Sequence, residues 1–352
     1  MNASFAHSGT PDRGAIPAFG GPSLLEVEEL RVHLPLRRTS PFRSKSFIKA
    51  VDGASFSIFP GEIVALVGES GSGKTTLGRS LLRLTPPSSG RVRFKGVDLT
   101  TLTPKEMRSF RRHMQMVFQD PYSSLNPRMT VGEIVGEPLS IHHAHLTPRA
   151  RLQRVAELFS QVGISPTHAA RYPHSFSGGQ RQRIAIARAL STEPDFIVAD
   201  EPVSALDVSV QAQIVNLLLD LKGKLSLTML FVSHDLRAVS HIADRVIVMY
   251  LGRIMEIAPS AMFWDAPAHP YTDALLSALP VEHPSLRRNR VLLKGEVPSA
   301  VSPPSGCVFR TRCPVASPEC AMAPPALRQV APGHWTACIK QKPFDLRGLH
   351  WK

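Results

Sequence analysis

Apolar and polar residues alternate near the start of the chain in a way that predicts a sheet. The alternation over 24–34 and 53–59 is typical of half-buried strands, whereas 62–67 (EIVALV) is almost continuously apolar, as in a strand buried on both faces. After Gly73, leucines recur at helical spacing until Pro86 ends the pattern. The predicted order is strand, glycine-rich loop, helix.

The rest of the chain predicts an α/β fold with a helical insertion. Residues from about 120 to 175 are polar and helix-forming, and apolar strand-like runs return at 195–199, 227–233 and 245–249. Beyond Pro259 proline is frequent and periodicity is weak, so we expect a loop-rich segment. The predicted regions are a flexible tail (1–22), a main domain (23–258) that contains a helical part (about 120–175), and a C-terminal extension (259–352).

The composition describes a globular chain without a membrane span. With 352 residues, 43% of them hydrophobic, the chain can bury one large core and still carry an appendage. No stretch approaches the roughly 18 apolar residues needed to cross a bilayer, and residues 1–22 lack the apolar core of a secretion signal, so we expect a cytoplasmic protein. The net charge of +13 suits contact with anionic lipid headgroups, nucleic acid or nucleotide. It could equally be only the basic surface of a soluble protein.

The glycine-rich loop matches a phosphate-binding pattern. Gly68–Thr75 reads GESGSGKT, which is glycine, four residues, glycine, lysine and a hydroxyl residue, between a predicted strand and helix. Lys74 should reach the β and γ phosphates of a nucleotide, and Thr75 should ligate Mg²⁺. We expect nine residues here to bind ATP: Gly68, Glu69, Ser70, Gly71, Ser72, Gly73, Lys74, Thr75 and Thr76.

Two acids follow a buried strand further along the chain. Asp200 ends the apolar run FIVAD, where a carboxylate is costly to bury unless it serves a cation. We therefore predict that Asp200 holds Mg²⁺. Glu201 comes next and should project toward the phosphates, which makes it the candidate general base for the water that attacks the γ-phosphate.

Residues 177–180 (SGGQ) open a run of helix formers. Ser177 and Gln180 have the spacing of a capping box, so this motif could be only a helix start. Two glycines weaken such a cap, however, unless the backbone must approach something closely, such as a phosphate. The chain has only one phosphate loop. A second anion-binding helix end would be useful if it completed the nucleotide site of another subunit. The motif therefore predicts dimerisation across nucleotide.

Six motifs occur in one order, GESGSGKT, VFQD, SFSGGQRQRIAIARAL, FIVADEP, SALD and FVSHD. This set is similar to that of the ABC ATPases and covers about 24–258. The resemblance implies a P-loop NTPase core with an antiparallel β subdomain and an α-helical subdomain. It also implies catalytic roles for Gln119, Glu201 and His234, Mg²⁺ contacts for Gln119, and nucleotide contacts from Gln119, Ser177, Gly178, Gly179, Gln180, Asp207 and His234. Leu34 stands where these ATPases carry an aromatic residue that stacks on adenine.

Two further segments resemble the oligopeptide and dipeptide importer ATPases, namely FQDPYSSLNPRMTVGEI (118–134) and HPYTDALLSALP (269–280). The resemblance implies a second, non-identical ATPase subunit, two transmembrane permease subunits, a periplasmic or extracellular substrate-binding protein, and a peripheral position on the cytoplasmic face of the inner membrane.

Three alternatives stay open. The chain could serve an importer of nickel or oligosaccharide. It could be a soluble ABC ATPase that acts on nucleic acid or ribosomes, although neither a second cassette nor a long coiled-coil insertion is present and no nucleic acid is expected. It could be a non-catalytic regulatory subunit, against which the intact Glu201 and His234 argue.

The four cysteines lie close together in the C-terminal extension. Cys307, Cys313, Cys320 and Cys338 are separated by five, six and seventeen residues. Four thiolates could stabilise a loop-rich segment by binding zinc or an iron–sulfur cluster. Alternatively, the thiols could be reduced and have only a structural role. The resemblance to the peptide-importer ATPases favours a [4Fe-4S] cluster.

Overall fold

The computed structural model describes residues 21–36, 46–279, 291, 293 and 295–339. The strands are β1 (Leu25–Pro35), β2 (Phe47–Ile58), β3 (Ile63–Val67), β4 (Ser89–Phe94), β5 (Val97–Asp98), β6 (Met114–Val117), β7 (Phe196–Asp200), β8 (Thr228–Val232), β9 (Arg245–Tyr250), β10 (Arg253–Pro259), β11 (Arg328–Ala331) and β12 (His334–Thr336). The α-helices are α1 (Lys74–Leu81), α2 (Pro104–Phe110), α3 (Pro121–Ser124), α4 (Val131–His142), α5 (Pro148–Gln161), α6 (Gly178–Leu190), α7 (Val208–Leu225), α8 (Leu236–Ile242), α9 (Ser260–Asp265) and α10 (Pro270–Ser277).

The larger of two sheets contains eight strands in the order β11-β12-β10-β9-β3-β8-β7-β6. β3 pairs in parallel with β8 and β9, and β7 pairs in parallel with β8 and β6. All five residues of β3 are buried, as expected for a central strand of a parallel sheet that is covered on both faces. Because β3, β6, β7 and β8 run in one direction, the segments that follow them meet at one edge of the sheet.

The smaller sheet is antiparallel, in the order β2-β1-β4-β5, and it packs on one face of the larger sheet. Alternate residues of β3 serve two separate cores. Val64 and Leu66 pack with the antiparallel sheet, whereas Ile63, Ala65 and Val67 pack with the helices on the opposite face. This division follows from the alternation of side chains along a strand.

Helices α3, α4 and α5 occupy the stretch in which the sequence predicts a helical insertion. α4 begins at a capping box formed by Thr130 and Glu133, and Thr147 accepts a hydrogen bond from the backbone at the start of α5. Their apolar faces join the core cluster of the helical side through residues such as Ile134 and Phe159. No helix in the described ranges is both long and apolar enough to cross a bilayer.

The C-terminal extension adds two strands to the larger sheet. β12 pairs antiparallel with β10, and β11 pairs with β12. The sequence did not predict these strands, because segments of four and three residues are too short for alternation to show. The domain boundary that we place near residue 258 falls inside β10, and it stays a prediction.

A buried carboxylate at the end of the main domain joins two parts of this extension to β10. Glu256 of β10 accepts the backbone N–H groups of Ala268 and His269 at 2.9 and 2.8 Å, and one of its oxygens lies 2.8 Å from His334 Nε2 in β12. Burial lowers the pKa of His269 to about 4, so its ring is neutral and its Nδ1 accepts the N–H of Tyr271. This network explains how a loop-rich segment keeps its shape.

We expect Glu256→Ala to destabilise the protein by about 3 kcal/mol, because it leaves two backbone donors and His334 without their buried partner. The measurement is the melting temperature followed by circular dichroism. Glu319→Ala is the control, since Glu319 is an exposed acid in the same extension. Equal melting temperatures for the two variants would contradict this account.

Candidate functional site

Four predicted motifs lie at the carboxyl edge of the parallel strands. Gly68 follows β3, Gln119 comes two residues after β6, Glu201 follows β7, and His234 comes two residues after β8. Ligands of open parallel sheets bind at this edge, because loops from several strands converge there. The candidate site therefore arises from the order of the strands in the sheet.

The loop at Gly68–Thr75 passes so close to neighbouring strands that two of its positions need glycine. A Cβ at Gly68 would clash with the carbonyl oxygen of Met249 in β9, and one at Gly73 would clash with that of Ala50 in β2. Both residues have positive φ angles, 152° and 102°. Glycine is thus required at both positions by space and by conformation.

Lys74 begins α1 and turns back over the loop. Its Nζ donates to the carbonyl oxygens of Gly68 and Glu69, at 2.8 and 3.0 Å. Burial lowers the pKa of this ammonium, and the nearby carboxylates of Glu201 and Asp200 act against that shift. A partly desolvated cation inside a ring of backbone groups is suited to an anionic ligand.

Thr75 and Asp200 form a pair that fits a divalent cation. The Thr75 hydroxyl donates to Asp200 Oδ1 at 2.9 Å. Asp200 is fully buried, and its Oδ2 has no hydrogen-bond partner among the described residues. Burial raises the pKa of this carboxyl group. An orphaned buried carboxylate oxygen beside a hydroxyl is the kind of donor set that Mg²⁺ takes.

The three predicted catalytic residues meet at one oxygen atom. Gln119 Nε2 donates to Glu201 Oε2 at 2.9 Å, and His234 Nδ1 lies 3.2 Å from the same oxygen. Glu201 has a φ of 45°, a conformation that costs a non-glycine residue about 1–3 kcal/mol. Its backbone N–H donates to the carbonyl of Val232 in β8 at 2.9 Å, and this bond helps to hold the strained residue in place.

The SGGQ motif forms the capping box that its spacing predicts. The Ser177 hydroxyl accepts from the Gln180 N–H, and the Gln180 side chain accepts from the Ser177 N–H. The glycines also have a packing reason within the chain. A Cβ at Gly179 would lie 2.5 Å from Val210 Cγ1 of α7, whereas one at Gly178 would meet a Leu206 methyl group at 3.3 Å. The close packing of α6 on α7 therefore explains why residue 179 is glycine, but it explains the glycine at 178 less well.

The remaining predicted residues surround this arrangement. Asp207 is exposed and precedes α7 without capping it through its side chain. Ser70 and Gly71 are exposed at the tip of the loop, Ser72 is buried, and Thr76 is partly buried in α1. In the described residues, the hydrogen bonds of Ser177 and Gln180 stay within the α6 cap and its first turn.

Two contacts to the loop were missed by the sequence analysis. Arg312 Nη1 donates to Glu69 Oε2 at 2.7 Å, and the Tyr271 hydroxyl accepts the backbone N–H of Glu69 at 2.9 Å. Both residues belong to the C-terminal extension. No periodicity or motif connects them to a loop about two hundred residues earlier.

The predicted [4Fe-4S] cluster is wrong for this structure. Cys307, Cys313, Cys320 and Cys338 line a cavity of about 20 Å³, which has room for about one water molecule. Nowhere in the described ranges do three or more cysteine, histidine or acidic side chains form a group that could hold a metal ion. The zinc alternative therefore has no support either.

Burial acts on two of these thiols. It raises the pKa of Cys307, and it raises the pKa of Cys313 to about 12. The interpretation that remains is four reduced cysteines that pack within the extension, and within the described residues none of them forms a disulfide.

Two family profiles match the chain. The profile described as ABC transporter matches residues 51–204, and the one described as oligopeptide/dipeptide transporter, C-terminal region, matches residues 255–320. The chain is 56% identical to the putative oligopeptide transport ATP-binding protein YkfD of Bacillus subtilis, over 90% of this chain and 94% of that protein. It is 57% identical to a putative peptide import ATP-binding protein of Brucella ovis, over 90% and 98%.

Solved structures resemble the fold as well. A dimeric ATP-binding cassette in a post-hydrolysis state with ADP and Pi has a TM-score of 0.60 and 28% identity, over 67% of this chain and 98% of that chain. CbiO1 from Clostridium perfringens, part of an ABC transporter complex, has a TM-score of 0.58 and 29% identity, over 68% and 89%. These likenesses confirm the predicted P-loop NTPase fold of the ABC ATPases. The chain therefore belongs to the ABC transporter family, as an ATP-binding protein of the oligopeptide and dipeptide type.

Proposed function

We propose that this protein hydrolyses ATP to drive the import of dipeptides and oligopeptides through an ABC transporter. The observation that carries the proposal is the meeting of Gln119, Glu201 and His234 at one carboxylate oxygen, beside the phosphate loop. The peptide cargo is supported by the match of the C-terminal profile and by the printed names of relatives at 50–57% identity.

The phosphate loop binds the polyphosphate of ATP. Backbone N–H groups of Gly68–Thr75 and the start of α1 supply positive potential, and Lys74 leaves the two loop carbonyls to contact the β and γ phosphates. Thr75, Asp200 and Gln119 would hold Mg²⁺, and the bound ion would neutralise charge that develops on the transferred phosphoryl group. The unpaired Oδ2 of Asp200 fits this role.

Glu201 acts as the general base. It accepts a proton from the attacking water, whose oxygen forms a bond to the γ-phosphorus as the bond to the β–γ bridging oxygen breaks. Gln119 and His234 hold the carboxylate in place in the absence of substrate, and His234 turns to the γ-phosphate when ATP is bound. The exposed His234 ring has room for this movement, since 57% of its side chain is accessible.

A second ATPase subunit completes each site. The amino-terminal end of α6 with Ser177–Gln180 offers N–H groups and a positive helix dipole, and its hydrogen bonds leave it available to a nucleotide that is bound by a partner. Asp207, exposed before α7, belongs to the same interface. We propose a heterodimer that closes on ATP and reopens after hydrolysis.

Two transmembrane permease subunits and a substrate-binding protein are the further partners. The ATPase works on the cytoplasmic face of the inner membrane, where closure of the dimer moves the permeases. Nickel and oligosaccharide are less favoured cargoes, because the matching profile and the cited relatives concern peptides. Nucleic acid is not a partner in this proposal.

We expect Glu201→Gln to lower ATP hydrolysis by the assembled transporter at least about 100-fold, because the amide cannot accept the proton from water. ATP binding should remain, since the phosphate loop is intact. Phosphate release and equilibrium binding of ATP measure the two effects. Glu157→Gln, in an exposed part of α5, is the control, and near-parental hydrolysis by Glu201→Gln would remove Glu201 from its role.

Substitutions at the two adjacent glycines separate packing from nucleotide contact. Gly178→Ala should leave the melting temperature almost unchanged but lower ATP hydrolysis by about tenfold, because the added methyl group keeps the partner's nucleotide away from the α6 backbone. Gly179→Ala should also lower the melting temperature, because its Cβ meets Val210. If Gly178→Ala hydrolysed ATP normally, the second anion site would be disproved.

The cargo is tested with the complete transporter in proteoliposomes. Uptake of a labelled tripeptide should require ATP and stop with Lys74→Ala, because the ammonium no longer compensates the phosphates. Nickel ions and maltotriose should not be taken up by the same vesicles. Uptake of either in place of the tripeptide would reject the proposed substrate class while keeping the ATPase assignment.

A further inference from the structure

The C-terminal extension contacts the phosphate loop at its second residue, Glu69. The guanidinium of Arg312 lies 2.7 Å from Glu69 Oε2, and only 10% of the Arg312 side chain is exposed. Arg312 also donates to the Tyr250 hydroxyl at 3.4 Å. An arginine fixed in this way forms a geometrically defined, charge-assisted hydrogen bond instead of a loose surface ion pair.

A second contact holds the backbone of the same residue. The Tyr271 hydroxyl accepts the N–H of Glu69 at 2.9 Å. Tyr271 is fully buried, and its ring packs against those of Tyr250 and Phe309 with centroids 4.8 and 5.2 Å away. Because the ring is fixed by its neighbours, the position of the hydroxyl is fixed as well.

In the absence of nucleotide, one peptide unit of the loop is held at both ends, by Tyr271 of the extension and by Lys74 of the loop itself. The unit between Gly68 and Glu69 donates its N–H to Tyr271 and accepts a hydrogen bond from Lys74 at its carbonyl oxygen. A phosphate loop binds its ligand through backbone N–H groups, whose directions depend on the orientation of each peptide plane. The extension therefore restricts the conformation of the loop from outside the nucleotide-binding domain that we predict.

The charge of Glu69 gives Arg312 a second effect. Glu69 places a carboxylate in a loop that has to receive the polyphosphate of ATP, and like charges repel strongly where little water screens them. The guanidinium compensates this carboxylate at hydrogen-bond distance. Loss of Arg312 would leave the repulsion uncompensated, whereas loss of the Glu69 charge would make Arg312 unnecessary.

We propose that Arg312 and Tyr271 are positioning residues of the ATP site, through which the C-terminal extension sets the affinity of this protein for ATP. They act by holding the Glu69 peptide and by neutralising the Glu69 carboxylate. The inference rests on the proposed role of Gly68–Thr75 as the loop that binds ATP.

The test is a double-mutant cycle on the assembled transporter. Arg312→Gln should raise KM for ATP about tenfold, the effect of one lost charge-assisted hydrogen bond, with kcat changed by less than about twofold. Glu69→Gln removes the carboxylate that Arg312 compensates, so it serves as the second background of the cycle. The double variant Glu69→Gln/Arg312→Gln should have a KM within about twofold of that of Glu69→Gln alone, and Arg312→Lys should restore part of the affinity.

A merely structural Arg312 gives the opposite result. If the arginine only kept the extension folded, Arg312→Gln would raise KM as much in the Glu69→Gln background as in the parent, and this outcome would overturn the proposal. Arg310→Gln is the matched control, since Arg310 lies in the same segment and bonds to Ser305 instead of the loop. Its KM should equal that of the parent.

A variant with a smaller change covers the case in which Arg312→Gln does not fold. Tyr271→Phe keeps the packed ring and removes the acceptor for the Glu69 N–H, so KM should rise while the far-UV spectrum stays parental. An unchanged KM with Tyr271→Phe would overturn the positioning role. A parental complex that hydrolyses no ATP would instead reject the proposed function, so the two failures are distinguishable.

Discussion

The close approach of the phosphate loop to two neighbouring strands is the constraint on which the site depends. The backbone carbonyls of Met249 and Ala50 lie so close to Gly68 and Gly73 that there is no room for a Cβ atom. The loop backbone therefore has little conformational freedom. Met249 belongs to the larger sheet and Ala50 to the smaller, antiparallel sheet. The loop is thereby held between both halves of the nucleotide-binding domain, and its geometry depends on how the two sheets pack.

Hydrogen bonds from neighbouring strands and loops explain why Glu201 can remain in a strained conformation. The carboxylate stands at the carboxyl edge of β7, with Gln119 and His234 from the two flanking loops on one of its oxygens. A strained backbone conformation of this kind persists where several surrounding contacts hold the residue in place. The sheet supplies the rigidity, and the loops on either side supply the two side chains that contact the carboxylate.

The sequence predicted the sheet, the helix after the loop and the helical insertion, because each has a clear hydrophobic period. The apolar strands before Gly68 and Glu201 located the phosphate loop and the two acids, whereas Gln119 and His234 were identified only through the resemblance to the ABC ATPases. The sequence could not predict β11 and β12, which are too short to show a period, nor the contact of Arg312 with Glu69, which depends on long-range packing. The [4Fe-4S] prediction was wrong because it rested on clustered cysteines and a family resemblance, neither of which determines how the side chains are arranged; among the described residues no three potential ligands form a metal-binding group.

The pairing of β12 with β10 has a consequence for solubility. A sheet that ended at β10 would present a row of unpaired backbone groups, and such an edge recruits strands from other molecules. The extension covers part of that edge, where Thr336 and Trp335 pair with Glu256 and Ile257, and it ends the sheet with β11, which has only four residues and begins with an arginine. Short, charged outer strands discourage aggregation. We therefore expect the extension to protect this edge of the sheet from pairing with other chains.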